Sequence, residues 1–181
     1  GTTFIKANSN TNNIAIGTDA GSNAQGQTGV AIGREAGKAS QGAYTVAVGN
    51  KAGSNAQGTS GVAMGSSAGL NAQGDNSVAV GHDAGQTSQG NLAVAIGNQA
   101  GRNAQGINAT AVGYAAGLNA QGTNGIAVGR GAGATSQGDA AVAIGAYAGQ
   151  TSQNNYATAA GYHAGYNAQG AYATAVGNQA G

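Results

Sequence analysis

One spacing constrains this chain above all else. The tetrapeptide VAIG and its variants begin at Ile14, Val30, Val46, Val62, Val78, Val94, Thr110, Ile126, Val142, Thr158 and Thr174, and every step is 16 residues. With positions numbered 1 to 16 from the first residue of each unit, position 4 is always Gly and positions 7 and 8 are always Ala-Gly. Position 12 is Gln wherever the repeat reaches it, and position 13 is Gly except at Asn154. Self-similarity at a fixed short period marks a chain in which each unit buries its apolar face only by stacking on its neighbours.

The unit is too short for a pair of helices, and its β-branched alternation at positions 1 to 3 reads as strand. Two short strands with Gly-rich turns at positions 4–5 and 13–14 fill 16 residues. The predicted fold is all-β: a parallel β-solenoid of about eleven 16-residue coils over residues 14–181, with two short strands per coil. At about 4.8 Å per coil the stack is a rod on the order of 50 Å long. Residues 1–13 break the pattern, with Phe4 and Ile5 where Ala and Gly belong, and read as an N-terminal cap over an open solenoid end. The last unit stops at position 8, so the repeat domain is expected to continue beyond residue 181.

Composition supports order rather than disorder. There are 36 Gly, but no Pro and a net charge of only +1, whereas disordered chains usually combine Pro with high net charge. That charge balance argues against nucleic acid as a partner, and no apolar run approaches the ~20 residues that would insert into a bilayer. Without Cys there is neither a disulfide nor a thiolate metal site.

Positions 1 and 3 share one side of a strand and position 2 takes the other. The Val/Ile ladder at 1 and 3 is expected inside the coil, with Ala at position 7 and Ala or Ser at position 11 as small partners from the opposite side. Position 2 is then the outward stripe: Ala15, Ala31, Ala47, Ala63, Ala79, Ala95, Ala111, Ala127, Ala143, Ala159 and Ala175. A solvated face drifts toward polar residues, so eleven outward alanines are expected to form an oligomer interface. The Gln column at position 12 reads as a ladder of amides stacked from coil to coil.

The stretch NSVAVG, Asn76 to Gly81, has variants in each coil. It resembles the head repeats of YadA-like trimeric autotransporter adhesins, repeats also found in viral and phage fibres, and the likeness runs from about residue 14 onward. The resemblance implies a left-handed parallel β-roll and a homotrimer of side-by-side chains. It also implies an adhesive role outside the cell, on a bacterial or virion surface, toward a host protein or glycan. The uniform 16-residue coil, lengthened by AGxxAQG, departs from the shorter repeats usual in that family.

Chemistry has little foothold in the sequence. His82-Asp83 is the one pair that invites a catalytic or metal reading, yet it occupies positions 5 and 6, where the other coils carry unrelated residues. No nucleophile, base and orienting group recur together. A metal site needs three or four converging ligands, and His82 and His163 lie five coils apart. The expectation is a non-enzyme with no catalytic residue, cofactor or metal. Glu35 and Lys51 share position 6 on adjacent coils and are placed to pair. Tyrosine is the one uneven feature: Tyr147, Tyr156, Tyr162, Tyr166 and Tyr172 crowd into the last part of the chain. They are either an aromatic patch for a glycan or protein partner, or packing near a junction. Tyr156 and Tyr172 share position 15 and are placed to stack. Two further functions stay open on sequence alone: a self-assembling extracellular filament or matrix protein, and an ice- or crystal-surface binder.

Overall fold

The computed structural model of the chain describes residues 5–8, as backbone, and residues 12–181. It is a parallel β-solenoid without helices among the described residues. Strands occupy positions 1–3 and 10–12 of the coil. The first set forms one sheet that runs from Asn13–Ile16 through Val30–Ile32 and each later unit to Thr174–Val176. The second set forms an opposing sheet of eight strands, from Asn23–Gln25 to Thr135–Gln137. Pairing is in perfect column register: Ala79 lies between Ala63 and Ala95, and Val80 between Met64 and Ile96.

Of the cap predicted over 1–13, residues 1–4 and 9–11 lie outside the described residues. Ile5–Asn8 pairs antiparallel with Asn13–Ile16 and so takes up the outer edge of the first sheet.

The interior inverts the expected placement. Position 2 is inside: Ala31, Ala47, Ala63, Ala79 and the alanines that follow to Ala159 are fully buried within the single chain, and Ala15 and Ala175 nearly so. The alanine stripe is therefore core and cannot be a chain–chain contact. The Val/Ile ladder faces outward, with Ile14, Met64, Ile96 and Ile144 each more than 40% exposed. The reason is the thinness of the coil. Ala at position 7 and Gln at position 12 fill most of the lumen, and position 16, always Gly, Ala, Ser or Thr, closes it. A Cβ placed on Gly85 would stand 3.3 Å from the Ala79 methyl across that lumen. A branched side chain at position 2 has no space.

Position 11 is also outside. Its Ala or Ser is exposed in each coil and sits at positive φ, 54° at Ala104. This left-handed residue kinks the second strand, so that only positions 10 and 12 pair with the next coil, as in Asn55↔Asn71 and Gln57↔Gln73.

The Gln column is buried, and its main work is across the coil rather than along it. In eight coils the amide Nε2 donates to the carbonyls of positions 1 and 16. Gln105, for example, bonds Val94 at 2.8 Å and Ala109 at 3.2 Å. Amide-to-amide bonds along the stack join Gln41 to Gln57, Gln137 to Gln153 and Gln153 to Gln169. Each of these eight Gln thus ties the two sides of its own coil, and burial gives the tie its weight.

Gly at position 13 is required by close approach alone, whereas at position 4 close approach and positive φ coincide. At position 13 φ is not positive; instead an added Cβ on Gly106 would lie 2.6 Å from the Gly122 carbonyl carbon of the next coil. The backbones there approach too closely for any side chain.

Candidate functional site

With the alanines inside, two surface features remain that a partner could use. The first is the outer face of the first sheet. Positions 1 and 3 present Ile, Val or Met in most coils, and otherwise Thr110, Thr158, Thr174 and Ala160. Neighbouring coils shield these side chains only at their flanks, so they are half-buried or exposed with nothing packed over them. Strict register makes the face continuous from Ile14 to Val176.

The second feature lies on the turn formed by positions 4–9. The five late tyrosines do not form one patch. Tyr156 and Tyr172 stack on the opposite turn, at 5.1 Å and 8° between ring planes. The other three gather around a residue that counting tyrosines overlooks, His163. Its ring lies 5.0 Å from Tyr147, 4.2 Å from Tyr162 and 4.6 Å from Tyr166. Tyr147 in turn meets the guanidinium of Arg130 at 5.3 Å, and Arg130 lies 5.9 Å from Tyr114 on its other side. Tyr114, Arg130, Tyr147, His163 and Tyr166 thus form a continuous file along the rod, held by ring stacking and by cation–π attraction. The signal was available in the sequence, because all five stand in columns 5, 6 and 9.

A groove of about 310 Å³ opens beside this file between Tyr114 and Tyr147. It exists because position 6 is small in two successive coils, Ala115 and Gly131, where Gln99 and Tyr147 bracket them. Gln99, Leu118 and Gln150 line the rest.

The His82-Asp83 pair is less idle than surface variation. His82 is exposed, but the Asp83 side chain is 12% exposed and accepts from Gln86 Nε2 at 2.8 Å. His82 Nδ1 approaches it at 3.5 Å and Arg102 at 3.9 Å, while Arg102 also donates to Gln86. The group is a local polar clasp between two coils. No nucleophile lies in it, and no three His, Asp or Glu side chains converge among the described residues. The expected Glu35–Lys51 pair does not form; Glu35 instead meets Arg34 at 2.8 Å and Lys38 at 3.6 Å.

Residues 71–84 and 120–148 match the family model of the YadA head domain repeat, in two copies. In those two stretches the chain is similar to YadA head repeats. Both matched stretches share the 16-residue framework of the remaining coils, and the second contains Arg130, Gly131 and Tyr147. No curated protein and no solved structure matches the chain.

Proposed function

We propose that this chain is a non-catalytic head segment of an extracellular attachment protein, working as a homotrimer on a cell surface. The observation that carries the reading is the outward Val/Ile face of the first sheet. It is a strip about 50 Å long and two side chains wide, larger than the scattered apolar residues a monomer usually leaves in water. Three rods packed face to face around an axis would cover it, and trimers of this kind are general among YadA heads. The role first expected of the alanines passes to these positions.

Light scattering on the purified protein at micromolar concentration tests the assembly. The expected mass is three chains. Replacing Val80 and Val112, both outward, with Lys should give a monomer with an unchanged far-UV spectrum. A wild-type chain that stays monomeric overturns the trimer. Attachment is read separately, as retention on cultured host cells of beads coated with the trimer against uncoated beads.

A further inference from the structure

We propose that the groove between Tyr114, Arg130 and Tyr147 is a binding site for an acidic saccharide, an oligosaccharide bearing carboxylate or sulfate groups. The inference rests on the attachment reading for its biological setting and names the chemistry that this surface would recognise.

The charge comes first. Arg130 is the only charged residue lining the groove. The other arginines all have an acid nearby: Arg34 meets Glu35, and Arg102 meets Asp83. Arg130 meets no carboxylate among the described residues; its contacts are the faces of Tyr114 and Tyr147. Those rings orient the guanidinium without neutralising it. Its fork of donors suits a carboxylate or sulfate, which it can bind in bidentate fashion.

The shape comes second. The groove spans the coils from Gln99 to Gln150, three coil-to-coil steps or about 14 Å, a trough for an oligosaccharide rather than a pocket for one sugar. Its volume stands at the lower end of ligand sites, which run from about 300 Å³ upward. Tyr114 is 54% exposed, and the part of its ring that Arg130 leaves free offers an aromatic surface to the C–H side of a pyranose ring. Gln99 and Gln150 supply amides, which donate to and accept from ring hydroxyls. None of the lining residues belongs to position 1 or 3, so the site does not draw on the face assigned to trimer contact.

The notch itself is a local departure from the repeat. Position 6 holds Gln99 at φ 59° and Gly131 at φ 62°, so the backbone accepts a side chain there. A Cβ on Gly131 would stand 2.8 Å from the ring edge of Tyr147, a side chain that has to turn aside, and 3.6 Å from Gln150 Nε2, and would meet no backbone. The coil would fold with glutamine at this place, and the groove would be filled.

The test uses calorimetric titration of the whole chain with a hyaluronan tetrasaccharide, a heparin tetrasaccharide and neutral cellotetraose. Binding of one or both acidic probes, weakening as salt rises, is expected; hyaluronan carries carboxylate alone and heparin both groups, so binding of hyaluronan shows that carboxylate suffices and binding of heparin alone shows that sulfate is needed. Arg130→Gln should weaken it roughly tenfold or more, the worth of a charge-assisted hydrogen bond, and Gly131→Gln should weaken it by filling the groove, both with unchanged far-UV spectra. The proposal is overturned if neither acidic probe binds, if cellotetraose binds as well as they do, or if both variants bind like the parent. A soluble tetrasaccharide reports on the groove whether or not the chain trimerises or holds cells, so failure here is distinct from failure of the attachment reading.

Discussion

Neighbouring residues of one strand show how sharply the coil discriminates. Ala79 and Val80 differ by two methyl groups, yet Ala79 is fully buried and Val80 looks outward. The Ala79 methyl is in close range of the Gly85 backbone, and Gly85 has the Gln89 amide against it, where a Cβ would come within 2.7 Å of Oε1. An added pair of methyls at 79 has to push the two sheets apart. Ala79→Val should therefore destabilise the protein by about 1–3 kcal/mol, the usual range for overpacking. Val80→Ala trims a half-buried outer side chain and should cost less, about 1 kcal/mol or below. Urea unfolding of both variants as monomers, in a background with Val112 and Val128 both replaced by Lys, measures the order. A larger loss for Val80→Ala would place the branched side chains inside after all.

At the scale of strands and turns, the coil is held by contacts between equivalent turns as much as by its sheets. Positions 6, 11 and 15 adopt positive φ in each coil, mostly with residues other than Gly. Such residues cost on the order of 1 kcal/mol each and persist only where their surroundings demand them. Here the demand is hydrogen bonding: Glu35 N–H donates to Thr18 and Ser60 N–H to Ala43, each at 2.8 Å to the preceding coil. The single lapse in the position 13 column shows what happens when close approach is denied. At Asn154 the amide reaches the Gln169 carbonyl at 3.1 Å, against 2.7 Å for Gly138 to Gln153. The second sheet stops as a regular ladder at Thr135–Gln137, and Thr151 makes isolated bridges only. Asn154→Gly should shorten that bond and draw Thr151–Gln153 into the sheet. Slower amide hydrogen exchange at position 154 and its neighbours is the expected reading; unchanged exchange would mean that something other than the missing glycine ends the ladder.

For the molecule as a whole, stability is expected to be close to a sum over coils and their nearest-neighbour contacts. The first sheet keeps the same register at every step, so one period can be removed without disturbing the rest. Excision of residues 78–93, one complete coil, should leave a folded rod about 4.8 Å shorter, with the same far-UV spectrum and a modestly lower melting temperature. Excision of half a period, residues 78–85, joins position 16 to position 9 and should abolish folding. Circular dichroism and small-angle scattering on the two deletions distinguish the outcomes. Equal tolerance of both would mean that column identity does not hold the stack together.

The sequence by itself determined the period, the strands and the parallel stacking. These follow from identical residues at a 16-residue spacing, which only an in-register stack can bring together. It also placed Ala at position 7 inside, singled out the Gln column as structural, and set Tyr156 and Tyr172 side by side. It did not determine which face of the first strand turns inward. Alternation separates positions 1 and 3 from position 2 but carries no sign, and the ordinary preference for large apolar residues in a core points the wrong way here. The width of the lumen decides, and that width depends on how closely two strands, kinked at a left-handed position 11, fold back on each other. The same holds for the surface site. Tyr147, Tyr162 and Tyr166 were visible as an excess of tyrosine, whereas the groove beside Arg130 depends on Tyr114 and Gly131, which counting along the chain does not bring together. Residues of neighbouring columns on successive coils meet only once the coil has closed, so a site spread over columns 5, 6 and 9 is assembled by the tertiary structure.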